Sequence, residues 1–132
     1  MKKINVIKSG IILVLLLMIA GCGQGYGKLL EFNGGQLYYT SSVTVDEAIR
    51  LGGYLVSEGF FDGKKKTVQI NKTESAYEFR MVLQKGFEID EEYMHIFKEA
   101  ANELSIHVFE GKQVDWHLCD EHLKTLHVVY AL

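Results

Sequence analysis

The sequence predicts a single two-layer α+β domain, in which an antiparallel-rich sheet carries two helices on one face. Six short runs are rich in β-prone residues, the clearest of them with the two-residue alternation of strands, and two longer segments repeat apolar residues at helical spacing. The segments follow the order β-β-α-β-β-α-β-β, and the central β-α-β-β-α-β part is typical of a ferredoxin-like core. A chain of 132 residues fits one domain of this kind and is short for two.

The first two strands are predicted to form a hairpin. Lys28–Phe32 and Gln36–Thr40 are rich in β-prone residues, and Asn33-Gly34-Gly35 separates them. Asparagine and glycine tolerate the positive φ angles of a tight hairpin turn. The remaining strands are predicted at Thr67–Lys72, Ser75–Leu83, Gln113–Cys119 and Thr125–Tyr130.

The first helix is predicted to begin at Thr44-Val45-Asp46-Glu47. This is a capping box, in which Thr44 caps the helix and Glu47 reaches back to the Thr44 amide. The apolar residues of this helix recur at Val45, Ala48, Ile49, Gly52, Leu55 and Val56. Gly52 and Gly53 each cost about 1 kcal/mol relative to alanine inside a helix. We expect either a close approach of the helix to the sheet or a local break there.

Asp90 is expected to cap a second helix, because Glu91 and Glu92 favour the first turn after it. Its predicted apolar stripe is Tyr93, Ile96, Phe97, Ala100, Leu104, His107 and Val108.

Residues 1–21 have the three parts of a secretory signal peptide. Three lysines precede an uninterrupted apolar run over residues 11–20, and small residues follow it. The run is too short to span a bilayer comfortably, since about 20 apolar residues are needed. An uncleaved signal anchor is the alternative.

Ile19-Ala20-Gly21-Cys22 resembles the bacterial lipobox, in which an aliphatic residue and two small residues precede a cysteine. The resemblance implies a bacterial lipoprotein, cleaved before Cys22 and carrying diacylglycerol on the Cys22 sulfur, with palmitate among its acyl chains. More than one chain gives firm membrane anchoring. The expected organisation is a signal peptide over 1–21, a lipidated cysteine and tether over 22–27, and one α+β domain over 28–132. That domain would lie outside the cytoplasm, in the cell envelope.

The charge balance argues against a nucleic-acid partner. The whole chain has a formal net charge of −3, and loss of residues 1–21 removes three lysines and no acidic residue. The remaining 11 basic residues would then face 17 acidic ones. Phosphate contacts need concentrated lysine and arginine, so we expect no nucleic-acid binding.

The last hairpin is the part of the sequence richest in potential metal ligands. If its loop is Asp120–Lys124, His117 lies opposite His127 and Cys119 lies opposite Thr125. Cross-strand Cβ atoms are about 4.5–5.5 Å apart, so His117, Cys119 and His127 would converge as ligands for zinc. The pattern lacks the spacing of known zinc motifs. The alternative is a half-exposed sheet face with Cys119 buried as a small apolar residue.

The sheet face without helices is a candidate surface for a ligand or partner, lined by Tyr38, His117, His127 and Val129. The sequence therefore predicts a membrane-anchored interaction module whose partner is an envelope protein or a small ligand. A metal-binding or metal-sensing lipoprotein is the alternative. Phosphate-binding loops and nucleophile–base motifs are not found in the sequence, so no catalytic residue is assigned and an enzyme is the least favoured class.

Three strings resemble an uncharacterised family of bacterial membrane-associated proteins. They are Leu37-Tyr38-Tyr39-Thr40, Gly59-Phe60-Phe61-Asp62-Gly63 and His117-Leu118-Cys119-Asp120. The resemblance spans nearly the whole chain after the signal peptide. It implies membrane association and carries over no activity and no functional residue.

Overall fold

The computed structural model describes residues 25–131. The predicted signal peptide, the lipobox and Cys22 lie outside these residues. The described part contains eight elements in the predicted order. They are β1 (Lys28–Phe32), β2 (Gly35–Tyr39), α1 (Val45–Ser57), β3 (Lys66–Lys72), β4 (Tyr77–Val82), α2 (Glu91–His107), β5 (Val114–Cys119) and β6 (Thr125–Tyr130).

The six strands form one mixed sheet in the order β1-β2-β3-β4-β5-β6. The pairs β1–β2, β3–β4 and β5–β6 are antiparallel, and the pairs β2–β3 and β4–β5 are parallel. Side chains from both helices join one core with the same face of the sheet, which confirms the two-layer α+β domain. Each helix connects strands that are neighbours, so the sheet follows chain order and neither β-α-β unit is split by another strand.

The turn between β1 and β2 has two residues, Asn33 and Gly34, with φ angles of 47° and 85°. Two positive φ angles in a two-residue loop match a type I′ turn, whose twist suits the twist of the flanking strands. The hairpin predicted from the asparagine–glycine pair is confirmed.

The capping box of α1 is also confirmed. The Glu47 amide donates to Thr44 Oγ1 at 3.1 Å, and the Thr44 amide donates to Glu47 Oε1 at 2.8 Å. The buried residues of α1 are Ala48, Leu51, Gly52 and Leu55. The predicted stripe was therefore partly wrong, because it omitted Leu51 and included the exposed Val45, Ile49 and Val56.

Gly52 lies where α1 packs against the side chain of Phe32, at the end of β1. A Cβ atom at Gly52 would lie 2.2 Å from Cε2 of Phe32, whereas a Cβ atom at Gly53 would meet nothing within 4 Å. The helix remains continuous through both residues. The expectation of a close approach is confirmed for Gly52, and Gly53 has no such role.

Helix α2 begins after Asp90, whose side chain accepts a hydrogen bond from the Tyr93 amide at 2.9 Å. Its buried residues are Ala101, Leu104 and Ser105. Ile96 and Tyr93 of the predicted stripe remain 47% and 40% exposed. Residues 25–131 contain the helices α1 and α2, and neither is long and apolar enough to cross a membrane.

Aromatic rings fill the centre of the core, between the sheet and α2. Trp116 of β5 lies 4.4 Å from the ring of Phe79 and 5.6 Å from the ring of Phe97, measured between centroids. Because Trp116 and Phe79 point toward the helices, their neighbours along β4 and β5 must point the other way. That alternation determines which side chains lie on the opposite face of the sheet.

Candidate binding face of the sheet

The sheet face opposite the helices, here called the open face, carries a row of side chains that crosses all six strands. The strand register places Leu29, Tyr38, Gln69, Arg80, His117 and Val128 next to one another in that order. Gln69 on β3 and His117 on β5, two strands that lie inside the sheet, are only 8% exposed. Polar groups therefore lie at the centre of a face that neither α1 nor α2 covers.

Three ionisable residues, Glu78, Arg80 and His117, form what we call the open-face cluster. Glu78 Oε1 lies 3.7 Å from Arg80 Nη1, and Glu78 Oε2 lies 3.8 Å from His117 Nε2. The side chains of Glu78 and Arg80 are 23% and 21% exposed. The carboxylate therefore lies between two basic side chains in a partly dehydrated setting, which strengthens electrostatic interactions.

His117 is held by β6 as well as by Glu78. Its Nδ1 atom lies 3.0 Å from Oγ1 of Thr125. Burial lowers the pKa of His117 below its ordinary value, although the negative charge of Glu78 opposes this effect. Near neutral pH the imidazole is therefore uncharged, so one of its ring nitrogens carries a proton and the other has a free lone pair.

Arg80 is tied to the loop between β5 and β6. Its Nη2 atom donates to the Leu123 carbonyl oxygen at 3.0 Å, and its Nε atom is buried without a hydrogen-bond partner among residues 25–131. Asp120 shapes this loop, because its carboxylate accepts from the amides of His122 and Lys124 at 2.9 and 3.0 Å. Leu123 is 5% exposed, so the loop folds against the domain near one end of the open face.

Tyr26 covers the other side of the open face. Its ring packs edge-on against Tyr38, with 5.3 Å between centroids, and its carbonyl oxygen accepts from Gln69 Nε2 at 2.8 Å. Tyr26 belongs to the end of the predicted tether, and this residue packs against β2 and β3. The open face is framed by Tyr26 on one side and by Leu123 on the other.

The register of the last hairpin differs from the predicted one. Cys119 lies opposite Thr125 as expected, but Leu118 lies opposite His127 and His117 lies opposite Val128. A bulge accounts for the difference, because Leu126 is an extra residue between the two pairs. One extra residue turns every later side chain of β6 to the other face.

The predicted metal ligands are therefore not brought together. His117 and Cys119 lie on the open face, whereas His127 shares the helix-covered face with its partner Leu118. Within the part of the chain that the structure describes, no group of three or more His, Cys, Asp or Glu residues is placed to hold a metal ion.

The bulge also corrects the predicted partner surface. Tyr38 and His117 lie on the open face, but Val129 is opposite Trp116 on the helix-covered face and is 3% exposed. Sequence reasoning missed the contribution of Glu78 and Arg80 to this surface. The signal was present in the strict alternation of β4, which places them opposite Phe79 and hence on the same side as His117.

Cys119 lies on the open face but is completely buried. Burial raises the pKa of its thiol above the ordinary value. A buried neutral thiol is a poor nucleophile and a poor metal ligand, so Cys119 acts as a small apolar residue beneath the loop.

Comparison with known proteins supplies the family. No curated protein and no solved structure matches the chain. One family model, AF_1994_N, described as a family N-terminal domain, matches residues 29–130. This match covers all six strands and both helices apart from the first residue of β1. The chain therefore belongs to the AF_1994_N family.

Proposed function

We propose that this chain is a lipid-anchored binding module of the bacterial cell envelope, and that its open face binds an envelope protein or a small ligand. The observation that carries the proposal is the open-face cluster. Three ionisable side chains at the centre of a sheet, on the face that the helices leave free, offer a partner both hydrogen-bond donors and acceptors.

The strands hold the open-face cluster in a fixed geometry. Glu78 and Arg80 lie on β4, and His117 lies on β5, which is the parallel neighbour of β4 in the sheet. Side chains on strands are positioned more rigidly than side chains on loops, which favours recognition. The guanidinium of Arg80 presents a planar set of donors, and the carboxylate of Glu78 presents acceptors.

Binding is better supported than catalysis. Thr125, His117 and Glu78 are adjacent, but two cavities of about 410 and 460 Å³ lie elsewhere, beside β6 and α2 and beside the start of β1. A substrate needs a pocket that excludes water around the reacting groups. The cluster lies on the sheet face that α1 and α2 leave free, which suits a partner that covers it.

The anchor is supported by the sequence Ile19-Ala20-Gly21-Cys22 directly after an apolar run. We would test it by feeding cells a clickable fatty acid and comparing the wild type with Cys22→Ala. The expected result is label and membrane retention in the wild type, and loss of both in the variant. Cys119→Ala should keep both. Retention of Cys22→Ala after an alkaline wash would instead support an uncleaved helix.

The binding face can be tested in intact cells with a photoreactive amino acid at Asp115. Asp115 neighbours Glu78 in the register and is partly exposed on the open face. We expect a discrete adduct that Arg80→Gln abolishes and that the exposed loop variant Lys65→Gln leaves unchanged. An adduct indifferent to Arg80, or equally strong from Glu103 on α2, would contradict binding through the open face.

A further inference from the structure

A groove, here called the β1 groove, lies at the end of the sheet where β1 and α1 begin and β2 ends. Its volume is about 460 Å³. Tyr39 and Val43 form part of its wall and are only 8% and 4% exposed, whereas Val45, on the first turn of α1, is 45% exposed. The wall of the groove is therefore largely apolar, and Val45 continues this apolar surface toward solvent.

The β1 groove also carries a positive charge. Among the described residues that line it, Lys28 is the only charged one. Lys28 is exposed, and so is Ser41, which lines the groove as well and has a hydroxyl group that can donate a hydrogen bond. The groove therefore combines an apolar wall with a cation and a neutral donor, which is a suitable set of groups for an anion attached to an apolar chain.

The two acidic residues that follow Val45 do not line the β1 groove. The carboxylate of Glu47 accepts hydrogen bonds from the Thr44 amide and from the Tyr77 hydroxyl. Asp46 is exposed on α1, where its charge is in contact with water. Lys28 is therefore available to an anion that enters the groove.

The chain enters the domain along the wall of the same groove. Gly27 lines it, with a φ angle of 101°, and a Cβ atom there would lie 2.3 Å from the carbonyl oxygen of Tyr39. Cys22 precedes Gly27 by five residue steps, which span at most about 18 Å. If Cys22 carries the proposed lipid, the membrane surface is thus a partner whose distance from the groove is limited by the covalent chain.

We infer that the β1 groove contacts the bilayer and binds the headgroup of a phospholipid. The inference rests on the proposed lipid anchor at Cys22 and adds a second, non-covalent contact with the same membrane. Lys28 pairs with the phosphate of the phospholipid, and Ser41 donates to the same headgroup. The apolar wall then contacts the first carbons of the acyl chains, which removes its surface from water.

The experiment uses the lipidated full chain, reconstituted into vesicles of phosphatidylcholine and phosphatidylglycerol. An environment-sensitive fluorophore is attached to Val45→Cys, and part of the phosphatidylcholine carries a nitroxide just below its headgroup. A nitroxide quenches fluorophores that come close to contact with it. We expect the fluorophore at position 45 to lose intensity and to emit at shorter wavelength. The wild type, treated in the same way, gives the background from Cys119.

The matched control is Val56→Cys, because Val56 is also an exposed apolar residue of α1, at 36%. Eleven residues of helix place it about 16 Å from Val45 along the helix axis. A fluorophore at position 56 should therefore keep its intensity. Equal quenching at both positions would mean that α1 lies flat on the bilayer, and this would overturn binding through the groove.

The contribution of Lys28 is tested by charge removal. In the Val45→Cys chain, Lys28→Gln should weaken the quenching, and Lys65→Gln, at an exposed lysine in the loop before β3, should leave it unchanged. Inorganic phosphate should not restore the fluorescence, because it offers nothing to the apolar wall. Full restoration by inorganic phosphate would assign the groove to free phosphate, and equal effects of both lysine variants would contradict a headgroup contact at Lys28.

Flotation of the vesicles separates failure of the anchor from failure of the inference. A wild-type chain that does not float with the vesicles has no lipid anchor, which overturns both proposals. A chain that floats while the fluorophore at position 45 remains unquenched keeps the anchor and overturns the groove contact alone. Emission at shorter wavelength without quenching would place the lipid of Cys22 itself in the groove, which also contradicts binding of a separate phospholipid.

Discussion

The Nδ1 atom of His117 lies 3.0 Å from Oγ1 of Thr125 across the last strand pair. Thr125 precedes the bulge at Leu126, and Val128 follows it, so both reach the same face as His117. His127 falls between them in sequence but points to the other side. The imidazole is therefore a hydrogen-bonded, buried part of the sheet.

The stability of the domain should fall as the pH is lowered from 7 to 5. Burial holds the pKa of His117 below the ordinary value of 6.5, so the unfolded chain binds a proton at a higher pH than the folded chain does. Stability is fully present above 6.5 and is lost as the pH falls toward the folded pKa. Urea unfolding of the chain at pH 7, 6 and 5 measures this loss.

His117→Gln keeps a polar side chain but cannot titrate, so its stability should change less over this pH range. His122→Gln is the control, because His122 is exposed in the loop and should retain the wild-type dependence. An equally steep loss of stability in His117→Gln and the wild type would show that another group causes the pH effect.

Alanine should have opposite effects at the two adjacent glycines of α1. At Gly52 the new methyl group would meet Phe32, and overpacking of this kind costs about 1–3 kcal/mol. At Gly53 the space is open, and alanine favours the helix by about 1 kcal/mol. Chemical denaturation of both variants checks this. Destabilisation by Gly53→Ala would mean that Gly53 serves a contact we have not identified.

Removal of the first helix cap should weaken the domain. Thr44→Ala leaves the Glu47 amide without its side-chain acceptor, which typically costs about 1 kcal/mol. Thr44→Ser keeps the hydroxyl and should remain close to the wild type. Thermal unfolding followed by circular dichroism compares them. Equal loss in both variants would assign the role to the threonine methyl group.

Native Cys119 should resist thiol reagents. It is fully buried and its thiol pKa is raised by burial, so reaction requires the domain to open. We expect Cys119 to react at least on the order of 100-fold more slowly than an added cysteine at the exposed Glu121, both measured in Cys22→Ala. Equal rates would show that the loop over Cys119 opens freely.

Most of the fold could be predicted because its signals are local. The asparagine–glycine turn, the capping box at Thr44 and the Asp90 cap each act within a few residues and satisfy backbone groups that would otherwise be unpaired. The alternation of apolar and charged residues in β4 likewise matches the two faces of that strand. The position of every element was therefore readable from short stretches of sequence.

The errors arise where contacts between residues far apart in the sequence determine the register of a strand or the buried face of a helix. The bulge at Leu126 depends on how the loop from Asp120 to Lys124 closes, and a loop of this length is compatible with more than one register. Several apolar residues of α1 also recur at helical spacing, but only contact with the sheet selects Leu51 over Ile49. The wrong register of β6 also misplaced the predicted metal ligands, because their convergence depended on the face that His127 occupies.

The packing of Tyr26 against the sheet limits how far the domain could stand from a membrane to which Cys22 is attached. Only four residue steps separate Cys22 from Tyr26, and a fully extended chain of that length spans about 14 Å. A lipid on Cys22 would therefore hold β2 and β3 beside the bilayer surface, with almost no stalk. A partner of the open face would then have to approach along the plane of the membrane, so other membrane-attached molecules would have the best access to it.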